Sequence, residues 1–247
     1  MNASTELLER VKEKSICAKL HDWTAASTTT LLYEAAKLMQ SPTVLWLPPR
    51  LKQGRAGIDE MTQYMADCID DLCINGGPAD WELGNTDVTE RSFWEGYRYV
   101  AAKSGVTQVQ CSTFSIHNLA QIVDSSDRCT FMNTHKYAWI ASPLIGAKMN
   151  ALCPVSICAE GGPYTAQLFG FPVFFNEQVP ENLNTCGYYD GKTATKTVML
   201  HIAKQDFMFV CDSAQPITIS RDSIILKVGF YSKKGARYPV GIGVNIS

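Results

Sequence analysis

The sequence lacks the features that identify several large classes of protein. No run of about 18 apolar residues is present, so a membrane-spanning helix is not expected. The first 15 residues lack the apolar core of a secretion signal, which predicts a cytoplasmic protein. The only basic run is the pair Lys233-Lys234, and the formal net charge is −2. The sequence therefore indicates no positively charged surface for binding the phosphates of nucleic acid.

Motifs for catalysis and cofactor binding are also missing. There is no Gly-x-Ser-x-Gly elbow and no His-x-x-x-His pair, and the four histidines fall in different predicted elements. Gly191-Lys192-Thr193 resembles the tail of a P-loop, but the earlier glycine of that motif would fall at Cys186. The sequence therefore predicts no enzyme, with no catalytic residue, cofactor-binding residue or metal ligand.

The nine cysteines show no Cys-x-x-Cys pair and no repeated spacing. An odd, scattered set is typical of reduced thiols that serve as small apolar side chains. An alternative function of another class is a cytosolic cysteine hydrolase whose Cys-His pair is assembled by folding. That alternative predicts one thiol with a lowered pKa.

Hydrophobic spacing predicts the helices of the first half. The 247 residues are 46% hydrophobic, which is enough for a sizeable core in one or two domains. Leu7, Leu8 and Val11 indicate an amino-terminal helix that Ser4 or Thr5 caps. A second helix is predicted over residues 29–40. A third is predicted from an apolar stripe that stops at the Asn-Gly-Gly of residues 75–77; its members are Ile58, Met61, Met65, Cys68 or Ile69, and Leu72.

The second half is rich in predicted strands. Thr113 or Ser115 caps a short helix with Ile116, Leu119, Ile122 and Val123 inward, and residues 129–133 form a strand that leads into a helix ending near Leu152. Five further strands are predicted; they cover residues 168–175, 198–203, 207–211, 223–231 and 238–246, besides a short one at 44–47. The last two flank a hairpin turn at residues 232–237. Helices followed by strands indicate the α+β class.

Two further clusters receive structural interpretations. Asp70 and Asp71 point to different sides of their helix, which indicates a solvated face and not a catalytic carboxylate pair. The long loop over residues 78–105 carries aromatic side chains that are interpreted as core or interface anchors: Trp81, Trp94, Tyr97 and Tyr99.

The order of several loose motifs resembles the major capsid proteins of tailed phages, the Hong Kong 97-type family. A striped helix ends in "INGG", followed by "FSIHNLAQIVDS", "CTFMNTHKYAWI", "LFGFPVFFNEQVP" and a closing "ARYPVGIGV". These pieces lie at residues 67–77, 114–125, 131–140, 168–180 and 227–246. The similarity covers residues 58–246, and its strength lies in the order of the motifs.

The resemblance implies a Hong Kong 97-like α+β fold with a long spine helix, a peripheral domain and an axial domain. Residues 1–57 would form an amino-terminal helical segment with a short arm and extended loop, and residues 58–247 an intertwined capsid core. Because so little chain precedes the spine helix, no Lys-to-Asn crosslink of the family can be carried over. Gly170 is interpreted as a bulge or a close approach of the backbone. Pro172 would lie at a strand position that needs no N–H donor for the sheet, and Pro180 would fix a turn.

The function that the resemblance implies is a shell subunit. It would self-assemble into pentamers and hexamers of a virion head, in the host cytoplasm, around double-stranded DNA that it does not bind sequence-specifically. Its partners would be scaffold, portal and decoration or cement proteins, with no membrane and no cofactor. The alternative within this fold is an encapsulin-like nanocompartment shell, which encloses cargo enzymes instead of a genome.

Overall fold

A computed structural model of the chain describes residues 3–25, 36–37, 43–52, 57–75, 77–78, 93–94, 96–97, 109–126, 134–152, 156–158, 165–179, 198–212, 214–232 and 240–244. The chain divides into two compact units. Unit 1 comprises residues 1–96 and 207–235, and unit 2 comprises residues 97–206 and 236–247. The boundary predicted between residues 57 and 58 lies inside unit 1 and stays a prediction.

The described residues form helices and strands in mixed order. The helices are α1 (Ala3–Lys14), α2 (Ile16–Leu20), α3 (Pro49–Lys52), α4 (Ile58–Asn75), α5 (Ile116–Ser126) and α6 (Pro143–Leu152). The strands are β1 (Asp22–Ala25), β2 (Ala36–Lys37), β3 (Thr43–Trp46), β4 (Gly77–Pro78), β5 (Phe93–Trp94), β6 (Val109–Gln110), β7 (Tyr137–Ala141), β8 (Ser156–Cys158), β9 (Thr165–Leu168), β10 (Phe171–Phe175), β11 (Val198–Ala203), β12 (Phe207–Cys211), β13 (Ile217–Ile219), β14 (Ser223–Leu226), β15 (Val228–Ser232) and β16 (Val240–Val244).

Unit 1 is organised around α4. Both α1 and α2 pack against this helix, which spans the residues that the apolar stripe predicted. Met65, Ile69 and Leu72 are buried as expected, whereas Ile58 is 53% exposed. The prediction for Ile58 is wrong because this residue lies in the first turn, where Gly57 and the two acidic residues after it are also exposed.

The amino-terminal helix α1 buries Leu7, Leu8 and Val11 as predicted. Ser4 does not cap it, since α1 already includes Ala3. The Ser4 hydroxyl instead donates to the carbonyl of Ile217 at 2.7 Å and accepts from its N–H at 3.0 Å. A residue expected to begin a helix therefore joins α1 to β13.

The described residues of unit 1 form three sheets. Their strand orders are β1-β12-β15-β2, β13-β14-β3 and β4-β5. The helix predicted over residues 29–40 is wrong at residues 36 and 37, which form β2 and pair with β15; its other residues lie outside the described part of the chain. Strand β3 agrees with the short strand predicted there.

Unit 2 is built on one mixed sheet, with the strand order β6-β16-β11-β7-β10-β9-β8. Helix α5 packs on β16 and β11. The Ser115 hydroxyl accepts from the N–H of Asn118 at 3.3 Å, so Ser115 is the cap of α5. Leu119, Ile122 and Val123 are buried as predicted, but Ile116 is exposed.

The predicted helix before Leu152 begins later than expected. Residues 137–141 form the fully buried strand β7, and α6 starts only at Pro143. The Ser142 hydroxyl accepts from the N–H of Ile145 at 3.2 Å. Because proline fits the first helical position, Pro143 starts this helix and does not interrupt it. The strand predicted at residues 129–133 lies outside the described residues.

The hydrophobic run over residues 168–175 is two strands and not one. β9 and β10 pair in antiparallel register around a two-residue turn, with Phe171 opposite Leu168. Phe169 has φ 55° and Gly170 has φ 80°, as a primed hairpin turn requires. Pro172 precedes the point where β10 begins to pair with β7, at Val173, so its missing N–H breaks no bond of that ladder. Pro180 lies outside the described residues.

The hairpin predicted at residues 232–237 is wrong, because its two strands belong to different sheets. β15 pairs with β12 and β2, whereas β16 pairs with β11 and β6. The strand predicted over residues 223–231 also divides, at Lys227, into β14 and β15. The predicted β11 and β12 are confirmed with the same bounds.

Candidate functional site

Two of the four histidines, His21 and His201, are buried among core residues. His21 lies among the rings of Phe207 and Phe230, with both centroid distances 5.4 Å. His117 and His135 are exposed. Within the described residues no three His, Cys, Asp or Glu side chains form a group that could hold a metal ion, and no helix there is long and apolar enough to cross a membrane.

His201 lies at the centre of the unit 2 sheet. Its ring stacks on Tyr137 at 5.4 Å and meets the edges of Trp139 and Phe171 at 4.6 and 4.8 Å. Burial lowers the pKa of His201 to about 3, so the imidazole is neutral at physiological pH. A neutral, fully enclosed ring is a packing group of the core and has no access to a substrate.

None of the five cysteines whose side chains the structure describes forms a disulfide, and burial raises the pKa of three of them. Cys17, Cys73 and Cys111 are buried. Burial raises the pKa of Cys73, and it raises the pKa of Cys111 to about 11. The pKa of Cys211 is raised by the same cause. Since the thiolate is the nucleophile, the raised pKa of Cys73, Cys111 and Cys211 counts against a hydrolase centred on any of them.

Asp70 has a structural role that the sequence interpretation missed. It is 5% exposed and the neighbouring Asp71 is 8% exposed, so the predicted solvated face is wrong for both. Its carboxylate accepts from the Ser15 hydroxyl at 2.5 Å and from the N–H groups of Ile16 and Cys17 at 3.1 and 2.9 Å. A carboxylate at the amino end of a helix is favoured by the free N–H groups and the helix dipole. Asp70 therefore attaches α2 to α4.

The remaining residues named in the sequence analysis are either buried or outside the described part of the structure. Tyr97 is fully buried, in agreement with its interpretation as a core anchor. Trp81, Tyr99, residues 191–193 and three cysteines lie outside the described residues, the cysteines being Cys129, Cys153 and Cys186. Trp94 and Cys158 belong to β5 and β8, but their side chains are outside the described part of the structure.

The surface feature that stands out is apolar. Leu144 at the start of α6 is 48% exposed, and Phe175 at the end of β10 is 40% exposed. The Phe175 ring lies against α6, because a Cβ atom at Gly146 would lie 2.2 Å from Phe175 Cε1. We define the α6 patch by its exposed residues: Pro143, Leu144, Ala147, Ala151 and Phe175.

Two segments of unit 2, one of which contains α6, carry few charged residues. Residues 109–126 and 134–152 of unit 2 contain three Asp, Glu, Lys or Arg residues, whereas residues 3–25 of unit 1 contain eight. Depletion of charged residues is the compositional signature of a surface that becomes buried in an assembly. The patch is therefore the candidate functional surface of unit 2. A sequence signal existed: Lys148 is the single charged residue among the ten of α6.

Comparison with known proteins identifies the fold. No protein-family model matches the sequence, and no curated protein sequence matches it. In structure the chain is similar to the holo-SrpI encapsulin complex from Synechococcus elongatus PCC 7942, with a TM-score of 0.54 and 11% identity over 96% of this chain and 89% of that one. It is also similar to the satellite phage P4 procapsid (TM-score 0.49, 7% identity, 100% and 92% covered) and to Microbacterium phage Oxtober96 (0.47, 9%, 93% and 90%). The expected likeness to the Hong Kong 97-type capsid fold is confirmed at the level of the fold.

Proposed function

We propose that this chain, which has a capsid-type fold, is the structural subunit of a closed icosahedral shell. The observation that carries the proposal is the fold itself, since the similarity to an encapsulin extends over nearly the whole of both chains. A fold alone does not specify a function, but two features of the described residues support the same conclusion. His21, His201 and the thiols of Cys17, Cys73 and Cys111 are buried as packing groups, and unit 2 exposes the apolar side chains of Leu144 and Phe175.

The form of shell that we propose is the head of a tailed phage. Its subunits form pentamers and hexamers around double-stranded DNA, with scaffold, portal and decoration or cement proteins as partners, and assembly takes place in the host cytoplasm. A net charge of −2 suits this role. Because a wall that is close to neutral does not trap DNA, the genome can be packed without tight contacts.

We further propose the correspondence of the parts. Helix α4 is the spine helix, unit 1 the peripheral domain and unit 2 the axial domain. The interleaving of chain segments supports this assignment, because both units are built from an early and a late part of the chain. Neither the spine helix nor the two domains requires a catalytic residue, in keeping with a protein that is not an enzyme.

A second candidate is an encapsulin-like nanocompartment shell, in which the enclosed material is protein. The observation that favours it is the structural similarity to the encapsulin complex. Both candidates share the subunit fold and differ in the cargo, which the subunit's own packing does not specify.

Electron microscopy of negatively stained, purified protein tests both candidates. We expect closed particles, or rings of five and six subunits, together with elution ahead of a 27.3 kDa monomer in size-exclusion chromatography. A strictly monomeric protein at high concentration and varied salt would contradict the proposal. Particles from the producing host, treated with nuclease before extraction, then distinguish a protected double-stranded genome from a protein cargo.

A further inference from the structure

We propose that Cys17 and Cys73 are a disulfide-forming pair, which closes when the protein meets an oxidant and then links α2 covalently to α4. Both thiols are reduced in the structure. The link forms within unit 1 of a single subunit, so it does not depend on the proposed shell function. Unit 1 brings these two cysteines together from distant parts of the sequence.

Hydrogen bonds hold the backbones of α2 and α4 together beside the two cysteines. The Asp70 carboxylate on α4 accepts from the N–H of Cys17 at 2.9 Å and from the N–H of Ile16 at 3.1 Å. Cys73 follows Asp70 by three residues, so the two lie on one face of α4 in neighbouring turns. Asp70 therefore fixes the backbone of Cys17 against the turn of α4 that carries Cys73.

The two side chains are in contact. Both cysteines are 0% exposed, and the thiol of Cys17 donates a hydrogen bond to the sulfur of Cys73. Two sulfur atoms at hydrogen-bond distance need only a small movement to reach the S–S bond length of about 2.0 Å. The fold thus places this pair of thiols where a covalent bond can join them.

The surroundings of the pair favour the thiol form. Burial raises the pKa of Cys73; the hydrogen bond from Cys17 lowers it, and the charges of Asp70 and Asp71 raise it. Because the thiolate is the reactive species, a raised pKa slows oxidation at neutral pH. In a reducing cytoplasm the two cysteines therefore stay as thiols, and the disulfide forms in oxidising surroundings.

Hydrogen peroxide is the oxidant that we propose, since it is small enough to reach the pair when α2 opens locally. One thiolate attacks a peroxide oxygen, which breaks the O–O bond, releases water and leaves a sulfenic acid. The thiolate of the other cysteine attacks the sulfenic sulfur, forms the S–S bond and expels hydroxide, which takes up a proton to become water. Two thiols and one peroxide thus give one disulfide and two water molecules.

Peptide mapping tests the inference. Purified protein is treated with hydrogen peroxide, its remaining thiols are blocked, and it is cleaved without reductant for mass spectrometry. Cleavage at aspartate separates Cys73 from Cys68, because Asp70 and Asp71 lie between them. We expect a Cys17–Cys73 crosslink that dithiothreitol removes. We also expect the oxidised protein to melt about 5 °C or more above the reduced protein, since the link constrains the unfolded chain.

Matched variants separate this pair from the other cysteines. Cys17→Ala and Cys73→Ala each remove one partner, so each should abolish the rise in melting temperature on oxidation. Cys111→Ala should keep the rise, because Cys111 is equally buried but lies in unit 2, where its thiol donates to the carbonyl of Val109 at 3.4 Å. Cys68→Ala should keep it as well, since Cys68 lies about 140° from Cys73 around the axis of α4.

Three results would overturn the inference. In the first, Cys17 and Cys73 both stay as thiols, or are oxidised separately to sulfinic acid, while the protein remains folded in peroxide. In the second, the crosslink forms only after denaturation. In the third, the crosslink forms and the melting temperature is unchanged, so that it does not stabilise unit 1. If the alanine variants fail to fold, the peptide map and melting temperature of the wild type still distinguish these results. None of them bears on the shell function, which electron microscopy tests separately.

Discussion

Unit 1 and unit 2 fix their helices by different means. In unit 1 the Asp70 carboxylate holds the amino end of α2, and the Ser4 hydroxyl joins α1 to β13. In unit 2 helix α5 approaches the sheet closely over Gly241, where a Cβ atom would lie 2.2 Å from the carbonyl oxygen of Ile122. Placement in unit 1 therefore depends on directional hydrogen bonds, and placement in unit 2 on the absence of a side chain. The stability of unit 1 should therefore respond to the loss of a polar group, and the stability of unit 2 to an increase in side-chain volume.

The largest effect is expected at the core of unit 1. Met65→Asp puts a charge at a fully buried position of α4, which should cost several kcal/mol, enough to unfold a marginally stable domain. Gln63→Asp, on an exposed position of the same helix, should change the stability by no more than about 0.5 kcal/mol. Soluble yield and melting temperature compare the two, and equal behaviour would show that the helical stripe is wrongly assigned.

Adding one methyl group at Gly241 tests whether the packing of α5 in unit 2 depends on side-chain volume. Gly241→Ala should destabilise the protein by about 3 kcal/mol, because α5 must move away from β16 to make room. Gly57→Ala is the matched control, since a Cβ there meets nothing within 4 Å. Chemical denaturation measures both. An unchanged midpoint for Gly241→Ala would mean that α5 is held by something other than close approach.

The corresponding test in unit 1 removes the Asp70 carboxylate while leaving the backbone nearly unchanged. Asp70→Ala leaves the N–H groups of Ile16 and Cys17 without their acceptor, at a cost of about 2 kcal/mol. Asp70→Asn keeps an acceptor oxygen and should lose less. Asp67→Ala, whose carboxylate accepts from the exposed Gln63 at 2.7 Å, should cost about 0.5 kcal/mol at most. If all three variants melt together with the wild type, the carboxylate does not hold α2.

The smallest effect on stability near neutral pH is expected from the protonation of His201 in unit 2. The pKa of His201 is lowered to about 3 in the folded protein because burial disfavours the charged ring, whereas the unfolded chain has a pKa near 6.5. The unfolded state therefore takes up the proton first. Stability is fully present above about pH 6.5 and is lost toward pH 3, at about 1.4 kcal/mol for each pH unit.

The His201→Leu variant isolates the contribution of His201 to the pH dependence of stability. Its free energy of unfolding should lack the His201 contribution, so the difference between wild type and variant should shrink by about 1.4 kcal/mol for each pH unit below 6.5. Urea denaturation between pH 5 and pH 8 provides the measurement. A difference that does not change with pH would show that the imidazole takes up a proton in the folded state as easily as in the unfolded one.

Local patterns account for what the sequence predicted correctly. The apolar stripe of α4 lies within one helix, β12 is a continuous apolar run, and β11 is an apolar run interrupted only by His201, so their bounds follow from residues close in the chain. The capping of α5 by Ser115 is equally local. The likeness to a capsid-type fold came from the order of such elements and needed no contact between distant residues.

Contacts between distant residues decided the rest. Residues 137–141 carry no clear period, and they became a central strand because β10 and β11 pair with them on both sides. The division of residues 223–231 places β14 beside β3 and β15 beside β12, partners that the sequence does not name. The burial of Asp70 likewise depends on α2 arriving beside α4. The sequence by itself determined α4, β11 and β12 and the buried face of α1, because these depend on backbone sterics and hydrophobic spacing over a few residues. Only the tertiary structure decided strand partners, the acceptor role of Asp70 and the exposure of Leu144 and Phe175, because each is fixed by groups that folding brings together from far along the chain.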